Sequence, residues 1–194
     1  MSTTSIIERG VTVDQLARYP MDDGNRYELI DGELHVTTQP HFRHQRIIHR
    51  LTMALGSWND ASGAGEVQSA PGVVLSAQNA VAPDLVWVRQ DRLLLFDDTD
   101  GKLHGAPDLA VEVLSQGSAN ERRDRELKRE LYDRYGVAEY WVVDRFTRRV
   151  DVYRRQAGAL ALVAQPGIDA ELTSPLLPGF SCPVASLFTA GDAP

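Results

Sequence analysis

Apolar and polar positions alternate with a period of two in Tyr27-Glu-Leu-Ile30 and Glu33-Leu-His-Val36, and only Asp31-Gly32 separates the two runs. That dipeptide tolerates the positive φ angles of a type I′ turn, so residues 27–36 are expected to form a β-hairpin. Past Pro40 the period changes. Ile47, Ile48, Leu51, Leu55 and Trp58 recur at helical intervals, which predicts a helix over residues 44–57 with one apolar face laid on a sheet. Strands are expected over 67–75, 85–88 and 109–114, the last two each introduced by a Pro-Asp dipeptide. A second helix is predicted over 118–135, where Ser118 and Glu121 make a capping box, Leu127, Leu131 and Tyr135 repeat every four residues, and Gly136 supplies the stop. Strands at 137–143 and 150–153 follow it, with a short helix at 13–19 opening the chain and at most one helical turn at 184–188 near its end. Parallel neighbours need a crossover, so strands interrupted by a helix indicate an α/β fold: a central mixed sheet flanked by helices.

Composition narrows the field further. A chain of 194 residues, 43% apolar and 24% charged, suits one compact domain. Residues 25–188 are expected to form it, with residues 1–24 as an N-terminal extension carrying the short helix and 189–194 as a loose tail. No run approaches the ~18 apolar residues of a membrane helix, and the first residues lack the order of a secretory signal. Cys182 is the single cysteine, which excludes an intrachain disulfide and Cys-pair metal or redox motifs and fits a reducing cytoplasm. The net charge of -7 gives no global attraction to a polyanion, so any such site must be local. Eleven of the 20 basic residues fall between Arg122 and Arg155, against eight acidic ones from Glu121 to Asp151, and this stretch is the candidate for tracking a phosphate backbone.

The residues that invite chemistry are carboxylates in apolar surroundings. Asp84 opens one strand and Glu112 lies within the next, with 27 residues between them. Alternation puts Asp108, Ala110, Glu112 and Leu114 on one strand face and Leu109, Val111 and Val113 on the other. A carboxylate in so apolar a strand costs several kcal/mol unless it is paired, neutralised or bound to a cation. On the following helix Asp124, Lys128 and Tyr132 are four apart, and a helix crossing back over the sheet brings Lys128 to Glu112. Two carboxylates on neighbouring strands and one ammonium outline a site where Mg²⁺ or Mn²⁺ is held by hard oxygens during phosphodiester hydrolysis. Glu33, favoured slightly over Glu28 of the same hairpin, is expected to lend a further carboxylate. His44, at the helix start, is expected to touch substrate phosphate or to cap the helix. Asp108 lies about 13 Å from Glu112 along the strand and shapes strand entry instead. Read without any wider comparison, Lys128 belongs to a charged, solvated helix face.

The chain resembles the Uma-two group of the PD-(D/E)xK nuclease superfamily over residues 25–188. The resemblance rests on Tyr27-Glu-Leu-Ile-Asp-Gly-Glu33, His44 before a helix, Pro83-Asp84, Pro107-Asp-Leu-Ala-Val-Glu-Val-Leu-Ser115, Asp124 and Lys128 with Tyr132, Gly136-Val-Ala-Glu-Tyr-Trp-Val-Val-Asp144 and Ser174-Pro-Leu-Leu-Pro-Gly-Phe180. It implies a restriction-endonuclease-like fold with Asp84 and Glu112 as the superfamily's two acidic residues, and hence metal ligands, in a Mg²⁺-dependent DNA endonuclease. One position departs from the pattern: Leu114 stands where the strand lysine is expected, and Lys128 fills that role from the next helix. Cutting both strands of a duplex with so small a molecule favours a homodimer. A different class of function, a nuclease-fold protein that binds nucleic acid or a protein without cutting, draws on the missing strand lysine and the acidic net charge.

Overall fold

A computed structural model describes residues 4–16, 18–20 and 23–189 of the chain. Strand β1 (Thr4–Arg9) and helix α1 (Val13–Leu16) precede the hairpin of β2 (Asn25–Ile30) and β3 (Glu33–Thr38). Asp31 and Gly32 take φ values of 50° and 75°, as the two-residue turn requires. Helix α2 (Phe42–Ser62) is longer at both ends than its apolar stripe indicates. His41 caps its start by accepting a hydrogen bond from the Arg43 amide, and Gly63 ends it in the left-handed conformation at φ 63°.

Beyond α2 come β4 (Gly65–Ser69), β5 (Val73–Ser76), β6 (Asn79–Val81), β7 (Leu85–Arg89), a 3₁₀ turn, β8 (Phe96–Asp97), β9 (Lys102–His104) and β10 (Leu109–Val113). One helical run then crosses over, as α3 (Ser118–Arg122), a π-helical turn (Arg123–Leu127) and α4 (Lys128–Arg134). It leads to β11 (Glu139–Asp144), β12 (Arg149–Gln156), β13 (Ala159–Ala164), β14 (Glu171–Thr173), β15 (Ser181–Pro183) and the single turn α5 (Val184–Leu187).

The fold is mixed α/β, with helices flanking mixed sheets as the sequence indicates, and its strands divide between two large mixed sheets and a small ribbon. The orders are β1-β3-β2-β6-β5-β9-β8, β13-β12-β11-β10-β7-β4 and β14-β15. The stretch 67–75 spans that division. It is two strands in two sheets, because Ala70 turns left-handed at φ 50° ahead of Pro71, which has no amide to donate to a ladder. Strand β1 was not anticipated; it joins the hairpin edge beside β3. The tail beyond Thr189 lies outside the described residues.

The six-stranded sheet is buried on both faces, and alternation sorts its side chains as the sequence indicates. Leu109, Val111 and Val113 of β10 join a core with Ile47, Leu51 and Leu55 of α2, Trp87, Trp141 and the C-terminal Leu177 and Phe180. Ala110, with Leu114 just beyond the strand, joins Val86, Val142, Leu131, Tyr132 and Tyr140 on the other side, under the crossover helices and against Ile30, Val73 and Val81 of the seven-stranded sheet. Glu112 points to this second side. Strands β10 and β11 are parallel, as the helical crossover between them demands, while β7 runs antiparallel to β10 with Leu85 opposite Val111. One further step in that register sets Asp84 opposite Glu112.

Candidate functional site

Five elements deliver charged side chains to one place. Alternation along β2 turns Arg26 and Glu28 to the same side, and the entry to β7 supplies Asp84. Strand β10 supplies Glu112, α2 supplies His44, and the π turn with α4 supplies Arg123, Asp124 and Lys128. Glu28, Asp84, Glu112, Asp124 and Lys128 are each 2% exposed or less. Burial of so many charges is tolerable only because they meet one another.

Lys128 is the centre of the cluster. Its Nζ lies 2.7 Å from Glu112 Oε1 and 2.7 Å from Glu28 Oε1, joining a carboxylate of each large sheet. Tyr132, one turn on, donates its hydroxyl to the same Glu112 oxygen at 3.3 Å. Glu28 Oε1 also accepts from the Ala82 amide at 2.9 Å, whereas its Oε2, 3.8 Å from Arg123, is buried without a hydrogen bond. Arg123 grips Asp124 through Nε at 2.8 Å and Nη2 at 3.2 Å. Asp84 Oδ2 is held by His44 Nε2 at 3.0 Å and by the Val113 amide, donating at 2.9 Å, while Oδ1 faces Arg26 Nη1 at 3.1 Å.

These contacts fix the protonation states. Burial is the largest influence on Glu112 and pushes its carboxyl up to about 8; Lys128 pulls against this, but Asp84, Asp124 and Glu28 reinforce it. Burial also opposes ionisation of Glu28, yet Lys128, Arg123 and Arg26 outweigh it and hold the carboxyl down at about 2. Asp84 is held well below the usual carboxylate range, burial being outweighed by His44, Arg26 and the Val113 amide. Burial works against the Lys128 ammonium, but Glu112 and Glu28 overcome it and raise its pKa, so this lysine is a cation and not a base.

Asp84, Glu112, His44, Arg26 and Arg123 line a polar cavity of about 180 Å³, walled further by hydroxyl and amide side chains such as Thr37, Thr38, Gln45 and Ser115. A hard divalent cation suits this donor set: carboxylate oxygens with no soft ligand among them. The structure thus brings Asp84, Glu112, Lys128 and His44 together. It leaves Glu33 out: that side chain is a third exposed, at the turn end of the hairpin, and pairs with Arg9 at 3.1 Å. Glu28 takes the place proposed for it, two residues along the same face, opposite His35 rather than opposite Ile30. His44 does not cap α2, a task that falls to His41. Asp108 is occupied at strand entry by the Arg89 amide at 3.0 Å and by Arg92 at 2.8 Å.

The basic stretch of 122–155 is largely spent on internal pairs. Arg125 binds Asp144 and Asp151, Arg154 binds Glu139, Arg155 binds Asp133, and Arg134 binds Asp31. Away from the site, Asp97, Asp100 and His104 come close enough to share an ion, but they are mostly exposed, and Asp100 is already paired with Lys102 and His104. Among the described residues no helix is long and apolar enough to cross a membrane.

Comparison with known proteins agrees with this architecture. A crystal structure from Anabaena variabilis ATCC 29413, described as a "putative nuclease belonging to DUF820", superposes with a TM-score of 0.72 at 18% identity, covering 92% of this chain and 97% of that one. That likeness establishes the fold. No curated protein matches the chain. Residues 13–185 match the model of a family described as "Putative restriction endonuclease", and on that extent of agreement the chain belongs to this family, Uma2.

Proposed function

We propose that this protein is a Mg²⁺-dependent DNA endonuclease of the PD-(D/E)xK type, with Asp84 and Glu112 as metal ligands and Lys128 as the lysine of the motif. The observation that carries the reading is the fully buried Lys128, 2.7 Å from Glu112, which together with Asp84 lines a polar cavity. A lysine buried at such cost on an otherwise charged helix is explained by work at that carboxylate. Leu114, at the usual lysine position, is 2% exposed within the apolar core, so the helix supplies what the strand does not.

Bound there, Mg²⁺ or Mn²⁺ supplies Lewis-acid charge at the scissile phosphate and lowers the pKa of the attacking water. The chain's own groups do the rest. His44 and the Val113 amide fix the rotamer of Asp84, and Glu28 and Glu112 hold the Lys128 ammonium where it orients the water and offsets charge on the phosphate. Cutting a duplex needs two such sites, so the active species is proposed to be a homodimer, which sedimentation velocity would measure. The buried, unpaired Cys182 suits a reducing cytoplasm.

The test is cleavage of supercoiled plasmid and of single strands in Mg²⁺ or Mn²⁺ by wild type, Glu112→Gln and Lys128→Ala. Metal-dependent cutting that falls at least a hundredfold in both variants is expected. Cutting that persists in Glu112→Gln overturns the site. A wild type that shifts DNA in a gel but never cuts replaces this reading with the binding-only one.

A further inference from the structure

We propose that Arg26 is a stand-in cation at Asp84: it neutralises that carboxylate until a divalent ion arrives, then turns into the cavity and clamps the phosphate beside the cut. The inference rests on the metal-dependent reading above and adds to it the residue that exchanges places with the ion.

The two oxygens of Asp84 have different kinds of partner. Oδ2 is fixed by a strand amide, Val113, and by a buried helix residue, His44. Oδ1 is met by Arg26, whose Nη1 also donates to the Ala82 carbonyl at 3.1 Å. These partners differ in freedom. The side chain of Lys128 is 0% exposed and that of Arg123, which lines the cavity but is held by Asp124, 8%, whereas that of Arg26, on the same cavity wall, is 27% exposed. Of the three permanent cations around the acidic cluster, Arg26 is the one with room to leave.

Charge gives it a reason to leave. Asp84, Glu28 and Glu112 surround the guanidinium and raise its pKa despite its burial, so it cannot relieve crowding by losing a proton. Asp84 carries one negative charge and cannot neutralise both a guanidinium and a divalent ion a few ångströms apart. The stronger charge takes the oxygen. The displaced side chain stays anchored on β2, two residues from the buried Glu28, and it borders a mostly apolar pocket lined by Leu16, Val74 and Val81 and, beside Asp84, the polar cavity lined by Thr37, Thr38, Gln45 and Ser115. Those side chains offer donors without further acid. A planar guanidinium entering such a space pairs with a phosphate through two parallel N–H donors.

The experiment compares wild type, Arg26→Gln and Arg26→Lys, with circular dichroism confirming that each is folded. Mn²⁺ affinity is read from the EPR signal of the free ion, and binding of a fluorescent duplex is read in Ca²⁺ by anisotropy. Arg26→Gln removes the competing charge and is expected to bind Mn²⁺ about fivefold or more tighter, Arg26→Lys within about twofold of wild type, and both to bind the duplex at least about fivefold more weakly. Equal or weaker Mn²⁺ binding by Arg26→Gln, with wild type binding normally, overturns this proposal and leaves the nuclease reading intact. A wild type that binds no Mn²⁺ overturns both. Should Arg26→Gln fail to fold, the wild-type Nε–H NMR signal of Arg26, assigned with the lysine variant, decides. It is expected to move with Mg²⁺ occupancy, and a signal that stays fixed through saturation overturns the proposal.

Discussion

Glu112 is faced by Lys128, Arg123, Asp124 and Tyr132 from the crossover run, Glu28 and Arg26 from β2, Tyr140 from β11 and Asp84 from the entry to β7. Its carboxyl is pushed up to about 8 in the folded chain, against an ordinary value of 4.5. The folded value lies above the unfolded one, so this residue's contribution to stability is complete below about pH 4.5 and is lost as pH rises through 8. In EDTA the melting temperature of wild type is therefore expected to fall by several degrees between pH 6 and 9, and that of Glu112→Gln to fall distinctly less. Parallel slopes in differential scanning calorimetry would refute this. Asp84 and Glu112 were readable in the sequence because a carboxylate in an apolar strand has few other reasons to exist. Lys128 was readable only through the family resemblance, since its local pattern is that of a solvated face. The choice of Glu33 over Glu28 failed because the register turns both to the same side, and only their distance from the turn separates them. Arg26 gave no signal at all; what marks it is a partner 58 residues away.

The crossover helix carries more information than its hydrophobic period reveals. Leu127, Leu131 and Tyr135 all sit at or beyond the end of the π turn, so their spacing samples only regular helix and hides the extra residue before it. The wider turn absorbs that extra residue and keeps Arg123 and Lys128 on the same side, where both reach toward Glu28, and π turns of this kind are frequent at functional sites. Glu126 is exposed and pairs only along the helix surface with Arg122 among the described residues, so its loss costs the fold little. Deleting Glu126 should convert the turn to regular α-helix and keep Lys128 on nearly the same face relative to Arg123, because four α-helical steps of about 100° turn through nearly the same angle as the five steps of the wider π turn. The expected result is a folded protein, by circular dichroism, that still cleaves plasmid; loss of cleavage would show that the π geometry itself is required. The hairpin, α2 and strands β7, β10 and β11 were legible from periodicity, which is local. The division of 67–75 between two sheets was not, because either half alone has an ordinary strand pattern.

For the molecule as a whole, the site is a joint: Glu28 belongs to one large sheet, Asp84 and Glu112 to the other, and the crossover helix closes over both. An ion bound there stabilises the folded chain alone, by about 2.7 kcal/mol at a hundredfold excess over Kd, or a few degrees in Tm. If Glu112 ligates the ion as proposed, binding would also ionise it, and the Mg²⁺-induced rise in Tm is expected to be larger at pH 8.5 than at pH 6.5; a rise independent of pH would argue against Glu112 as a ligand. The partition of the core has a spectroscopic consequence. Trp58, Trp87 and Trp141, the three tryptophans of the chain, all belong to the cluster on the face of the six-stranded sheet turned away from the cavity, whereas Tyr132 and Tyr140 lie on the cavity side. Emission excited at 295 nm should therefore follow melting of the core faithfully yet stay nearly silent when an ion or a nucleic acid fills the site. A binding assay built on intrinsic tryptophan fluorescence would then report no ligand where one is bound, and tyrosine is the native chromophore placed to see it.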